Sequence, residues 1–365
     1  MDVRIFQKKG LSLFLLFTFS CTLLFSTLVP LKAEAVKIED VVGAIIVQQM
    51  VRNSLKHYEN AGRMELLEEY KTSEGVNYDS YRNTALDRIM SKLTKGIAKT
   101  DESINNPPYN YFINNEKTFN AFCTLGRNIS VNTGVFDFFD DQEDKIAAVV
   151  AHELAHGQKQ HPLKGTQKKL NIDLLTSIFG SDLRGAGQLA VGVVASHAKN
   201  SGITKSSEKQ ADNLSFIYMA DAGYNVGAPA AVWQRMIDNS TKKPKDFFAS
   251  ILNPSTHPGN EWRRDNFNKK LYEYSNKKVS VDAKTGEVKI NNRVFIKPTA
   301  FANMSGQERA YLIAGNLATI YHEGKNLEHL YVENGTVYSD KKAIITPGPT
   351  DPSAQELVRI LQDIK

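Results

Sequence analysis

Apolar positions recur at three-to-four spacing early in the chain, at Val41-Val42, Ile45-Ile46 and Met50-Val51, then at Met64, Leu66 and Leu67, then at Leu86, Ile89 and Met90. That period predicts helices over about 36–99. Asn105-Asn106-Pro107-Pro108 closes them, because proline lacks an N–H and pushes the residue before it out of helical geometry. Alternating segments at 109–113 and 128–131, broken by Gly126 and Gly134, predict strands of a small sheet. The helical period returns over about 142–160, where Ile146, Val149, Val150, Leu154 and Ala155 form an apolar face and Pro162 ends the element. More helices are expected at about 206–222, 228–239 and 260–274.

Beyond about residue 279 the texture changes. Asp282-Ala283-Lys284-Thr285-Gly286, Asn291-Asn292 and Glu333-Asn334-Gly335 mark turns between short strands, with helices over about 307–321 and 353–364. The expected class is therefore α+β and mainly helical. A domain over 36–278 carries a small mixed sheet, and 279–365 forms a small α+β accessory domain. The segment 170–197 is moderately apolar, but Asp173, Asp182 and Arg184 exclude a membrane span. Its Gly180, Gly185, Gly187 and Gly192 fit a lid, and a packed helical hairpin is the plainer alternative.

Residues 1–35 read as an export signal: Arg4, Lys8 and Lys9, an uncharged apolar run over 11–31, then Ala33-Glu34-Ala35 with cleavage after Ala35. An uncleaved anchor is the alternative, since the run approaches the length that spans a bilayer. Either way the remainder is carried outside, to a periplasm or an extracellular cell envelope. Membrane contact is then confined to the N-terminal segment, if that is retained. Cleavage would remove Cys21 and leave Cys123 alone, so no intrachain disulfide is expected and Cys123 reads as a small buried hydrophobe.

At 365 residues, 41% hydrophobic and 23% charged, the chain has ordinary globular composition. Its formal charge is +5, and removing four cations and two acids with the signal leaves +3. So mild and evenly spread a charge does not point to nucleic acid.

The chemistry concentrates in His152-Glu153-Leu154-Ala155-His156. Two histidines four apart on a helix project from one face and can reach one tetrahedral ion, while the glutamate between them can reach a water beside it. A metzincin would need its third ligand at position 162 and a glycine at 159; these are Pro162 and Lys159, which excludes that class. Glu208-Lys209-Gln210-Ala211-Asp212 offers another solution. Glu208 completes a site of two histidines and one carboxylate, and Asp212, one turn on, can accept the free ring N–H of a ligand histidine. A solvated charge pair is the ordinary alternative for both.

Asn120-Ala121-Phe122, Asn128-Ile129-Ser130-Val131, Thr133-Gly134, the run from Ala147 to His156 with His161 five residues later, Glu208 to Asp212 and Thr256-His257-Pro258 together resemble the peptidase family that includes HtpX and the CAAX prenyl proteases. The resemblance covers about residues 40–275. It implies a minimal gluzincin catalytic domain, one Zn2+ per chain and endopeptidase activity. The multiple membrane spans of those two branches are missing here, so the chain looks like a soluble, exported branch.

On this reading Glu153 takes the proton of the attacking water and passes it to the leaving amine. Arg127, Asn128, Ile129, Ser130 and Val131 are expected to form an edge strand that pairs with an extended substrate, an interior strand being the alternative. His257 stabilises the oxyanion or occupies the open metal position, unless it only caps the helix after Pro258. His161 is expected to be structural, and His57, His197, His322 and His329 have no assigned role. Protein or peptide substrates of the envelope, in quality control, follow from this; the oligomeric state does not. The competing functions are an envelope chaperone or assembly factor with a largely latent zinc site, and an adaptor using only the terminal hairpins. Tyr311, Tyr321, Tyr331 and Tyr338 are candidate contact residues or core.

Overall fold

The structure is a computed structural model that describes residues 38–168, 203–244, 246–248 and 258–365. The expected export signal, the segment 170–197 and His257 lie outside the described residues. Contacts divide the chain into Met1–Ile46 and Val47–Lys365. Of the first unit only 38–46 are described, as the opening turns of helix α1 (Ile38–Glu59). No helix among the described residues is long and apolar enough to cross a membrane.

The Val47–Lys365 unit is a mostly helical α+β arrangement. Val51, Leu55 and Tyr58 of α1 join Leu66, Leu67 and Tyr70 of α2 (Arg63–Glu74), with Phe112 and Leu125, in a small satellite core. Helix α3 (Ser80–Ile97) starts where the Asp79 carboxylate accepts the Arg82 N–H at 3.0 Å. It buries Leu86, Ile89, Met90, Leu93 and Ile97, the stripe that a 3.6-residue period places on one face.

Three short strands follow: β1 (Asn110–Asn114), β2 (Ala121–Thr124) and β3 (Asn128–Asn132), in the order β1-β3-β2. β3 pairs in parallel with β1 and antiparallel with β2. This corrects the expectation that Arg127, Asn128, Ile129, Ser130 and Val131 form an edge strand. The backbone of β3 is spent on two neighbours, every residue of it is buried, and Arg127 sits in a left-handed turn (φ 57°) ahead of it. One edge belongs instead to β2, four residues too short to show an alternation in the sequence.

Helices α4 (Thr133–Phe138) and α5 (Glu143–Gln158) come next, then α6 (Lys205–Asp221), α7 (Ala228–Asn239) and α8 (Asn260–Tyr274). Helix α5 is central, packed against α6, α7, α3 and β2. Two antiparallel meanders complete the chain. The first is β4 (Val279–Val281), β5 (Val288–Ile290) and β6 (Arg293–Ile296). After helix α9 (Gly306–His322) comes the second, β7 (Leu330–Glu333), β8 (Thr336–Ser339) and β9 (Lys342–Ile345), and then α10 (Ala354–Ile364). The turn pairs Asn291-Asn292 (φ 50° and 64°) and Asn334-Gly335 (φ 48° and 77°) take the left-handed conformation that tight hairpins demand.

The boundary expected near residue 279 falls inside the Val47–Lys365 unit, because α9 packs on both α7 and α8. Gly315 of α9 lies so close to Gly227 that a Cβ there would stand 2.3 Å from the Gly227 nitrogen. The Asn225 amide donates to the Leu312 carbonyl at 3.0 Å across this contact. Lys145 of α5 and Glu308 of α9 form an ion pair with side-chain exposures of 1% and 2%. Arg235 of α7 bridges Glu308 at 3.4 Å and Asp140 at 2.6 Å. Tyr311 and Tyr321 are buried, whereas Tyr331 and Tyr338 stack on each other with centroids 5.3 Å apart.

A buried ammonium stripped of its carboxylate is costly. Glu308→Ala is expected to lower unfolding free energy by about 3–5 kcal/mol, read from the urea midpoint. Replacing Lys145 and Glu308 together by methionine is expected to recover most of that loss, since it removes both charges and keeps the volume.

Candidate metal centre

Helix α5 delivers His152 and His156 from one face, while Ile146, Val150, Leu154 and Ala155 anchor its other side in the core. Helix α6 begins where Thr204 caps the Ser207 N–H at 3.2 Å, which puts Glu208 in its first turn. The three ligand atoms converge. The two Nε2 atoms lie 3.0 Å apart, His152 Nε2 is 3.5 Å from Glu208 Oε2, and His156 Nε2 is 3.4 Å from Glu208 Oε1. Bonds of about 2.0–2.1 Å in a tetrahedral zinc site place neighbouring ligand atoms about 3.3 Å apart. The residues present therefore fit a single divalent ion of the zinc type. They are the group of His, Cys, Asp and Glu able to hold an ion among the described residues.

Each ligand is held by a second layer of contacts. His152 Nδ1 faces Asp212 Oδ1 at 3.1 Å, one turn along α6 from Glu208. Arg263 of α8 grips Asp212 with two bonds, Nε to Oδ2 at 2.8 Å and Nη2 to Oδ1, and reaches Glu208 Oε2 from Nη1 at 3.2 Å. Its guanidinium carbon lies 3.7 Å from the centroid of the Trp233 ring. On the other histidine, His156 Nδ1 lies 3.1 Å from His161 Nδ1, and His161 Nε2 lies 2.9 Å from Gln210 Oε1.

Glu153 carries the next side chain along α5. The Cys123 N–H of β2 donates to its Oε2 at 2.9 Å. Burial pushes the Glu153 carboxyl up to about 7, with the Glu208 charge adding to the rise and His152 opposing it. A carboxyl poised near neutrality can both take and return a proton at physiological pH. Burial depresses His152, but its bonds to Asp212 and Glu208 outweigh that and carry it up to about 10. A cation and that proton compete for the same lone pair. Burial lowers His156, and it takes His161 down to about 4. Burial raises Asp212, yet the Arg263 guanidinium wins and holds it below its ordinary value.

The structure thus brings His152, Glu153, His156, Glu208 and Asp212 together. His257 lies outside the described residues, and the strand from Asn128 to Val131 sits one strand away from the edge beside Glu153. Cys123 is buried with its thiol pushed well up by that burial, a small hydrophobe whose backbone meets the site. Sequence reasoning missed Arg263, Gln210 and the part played by β2. A signal for Arg263 was there: it stands in register with Phe267 and Leu271 on the buried stripe of α8, where a cation needs acidic partners. Gln210 had no such signal.

Three relatives match part of this chain at modest identity. A putative beta-barrel assembly-enhancing protease of Vibrio cholerae is 25% identical over 177 residues, 46% of this chain and 35% of that protein. Metalloprotease LoiP of Escherichia coli is 26% identical over 148 residues, 40% of this chain and 58% of that protein. The mitochondrial metalloendopeptidase OMA1 of Arabidopsis thaliana is 26% identical over 153 residues, 41% of this chain and 29% of that protein. The chain spans about a third of the length of the first of these. Residues 80–270 match the profile of Peptidase family M48. That stretch contains both histidines of α5, the β2 strand beside Glu153, Glu208 and Arg263. More than half of the chain lies within it, and the chain belongs to peptidase family M48.

Proposed function

We propose that this chain is a zinc-dependent endopeptidase, exported from the cytoplasm, that hydrolyses peptide bonds of envelope proteins in quality control. The observation that carries the reading is the meeting of three ligand atoms beside a glutamate whose carboxyl is fixed by an edge-strand N–H. The N-terminal signal pattern and the relative named for beta-barrel assembly support the envelope setting.

Zinc, when bound by His152, His156 and Glu208, supplies Lewis acidity toward the scissile carbonyl and an incoming water. Glu153 does the proton work: it accepts a proton from the attacking water and hands it to the departing amine nitrogen. Cys123 N–H orients the carboxylate by holding Oε2. Asp212 and Arg263 keep His152 and Glu208 in place. The substrate lies extended along the outer edge of β2. Phe122 and Thr124 face Ser130 and Asn128 within the sheet, and the Asn132 N–H donates to the Asn120 carbonyl at 3.0 Å. By alternation Ala121 and Cys123 turn their backbone groups outward, to the side where Glu153 stands; the Cys123 N–H is spent on Glu153, so pairing falls to Ala121 and the Cys123 carbonyl. Pairing through the main chain tolerates many substrate sequences.

Glu153→Gln is expected to retain zinc while casein cleavage drops by at least about 100-fold; a variant that keeps its turnover would remove Glu153 from the proton step. Zinc in the wild-type chain with no cleavage of any unfolded protein would favour an assembly factor with a latent site. Arg263→Met leaves two buried carboxylates without their cation and is expected to destabilise the metal-free protein by about 3–5 kcal/mol. The zinc-loaded form of that variant is expected to lose less, because the ion's charge compensates the same carboxylates. Equal losses in calorimetry of both forms would contradict that account.

A further inference from the structure

The two ligand histidines are supported differently. His152 backs onto a carboxylate, Asp212, itself gripped by Arg263. His156, almost fully buried, backs onto a neutral partner, His161, which in turn meets the side-chain amide of Gln210. The chain is folded to produce this contact. Helix α5 ends at Gln158, Gln160 takes a left-handed turn (φ 54°), and His161 comes back under His156 with ring centroids 4.9 Å apart at 74°.

We propose that His161 and Gln210 form a neutral hydrogen-bond relay that holds His156 in the one tautomer able to ligate the ion, which makes His161 a positioning residue. The inference rests on the metal-site reading above, and the proton positions follow from it without further assumption. His156 offers Nε2 to the ion, so its single ring proton sits on Nδ1. That N–H points at His161 Nδ1, 3.1 Å away, which must then carry a lone pair. The proton of His161 is thereby placed on Nε2, and its partner at 2.9 Å must accept; the amide oxygen of Gln210 is the atom there. Every donor meets an acceptor along the line. Reversing any member would put a proton on His156 Nε2, where the ion belongs. A neutral relay also adds no further negative charge to a site that already holds Glu153, Glu208 and Asp212.

The relay is tested by zinc affinity of the full chain, measured by competition with a chromogenic chelator. His161→Phe keeps a ring and removes the acceptor, and it is expected to weaken zinc binding about 10–100-fold, the range for lost partners of metal ligands. His161→Gln, whose amide oxygen can accept from His156, is expected to restore most of that affinity. The thermal midpoints of the metal-free variants report whether packing survives. Wild-type affinity in His161→Phe would overturn the relay and return His161 to a packing role. Nitrogen-15 NMR of the metal-free wild type provides a check independent of any variant: protonated Nδ1 on His156 is expected, and protonated Nε2 would overturn the assignment. A wild-type chain that binds no zinc would overturn the metal site itself, and the relay with it.

Discussion

Two carboxylates one turn apart on the same helix, Glu208 and Asp212, are both buried, with residue exposures of 2% and 0%. Like charges so placed repel, and burial removes the water that would screen them. The arrangement stands only because other elements bring positive or proton-donating groups to it. Helix α8 contributes Arg263, which touches both carboxylates, and α5 contributes His152, which touches both as well. Three helices distant in sequence are thereby required to meet at one point. The charge balance bears on the proposed function: with both histidines neutral as ligands, two carboxylates and a guanidinium leave one negative charge, and ionised Glu153 makes two. A divalent ion brings that sum to zero, which is what a buried site tolerates best.

How much of this was legible in the sequence depends on whether the signal was local. The helices beginning at Glu143, Ala228 and Asn260 follow from an apolar stripe of fixed period, and a pair of histidines four apart on such a helix already specifies a shared face. The turns at Asn291-Asn292 and Asn334-Gly335 announce themselves through residues that accept positive φ. The order of strands has no such local mark. β3 reads as a strand by its Asn-Ile-Ser-Val alternation, yet whether it lies at the edge depends on β1 and β2 docking on its two sides, and β2 shows no alternation at all. Arg263 was readable in principle from its register with Phe267 and Leu271. His161 was visible as a histidine but not as a partner, since the left-handed turn at Gln160 that returns it beneath His156 is carried by a residue with no preference for that geometry.

The region after residue 279 differs from the rest in texture. Its short strands and Asn-rich turns differ from the helical core, which suggests a separate body. Besides a shared apolar core, the polar and backbone contacts that join it include Lys145 with Glu308, Gly227 with Gly315, and Asn225 with Leu312 and Asn316. None is conspicuous alone, because a lysine or a glycine inside a helix has many uses. Together they leave α9 seated on the same helices that frame the metal centre.

These contacts make α5 an element held at both ends. Near its start Lys145 is tied through Glu308 to α9, and through Glu308 to Arg235 of α7. Past its end the chain turns back so that His161 meets His156 and Gln210 of α6. Its C-terminal half carries the histidines and Glu153, with Cys123 of β2 fixing the glutamate from the side. A metal centre needs its groups placed to within about 0.5 Å, and a helix free to slide or roll would lose that placement, because His152 and His156 move together while Glu208 stays with α6. Fastening both ends of α5 removes those motions. The terminal region thereby contributes to the geometry of the centre without supplying an atom to it.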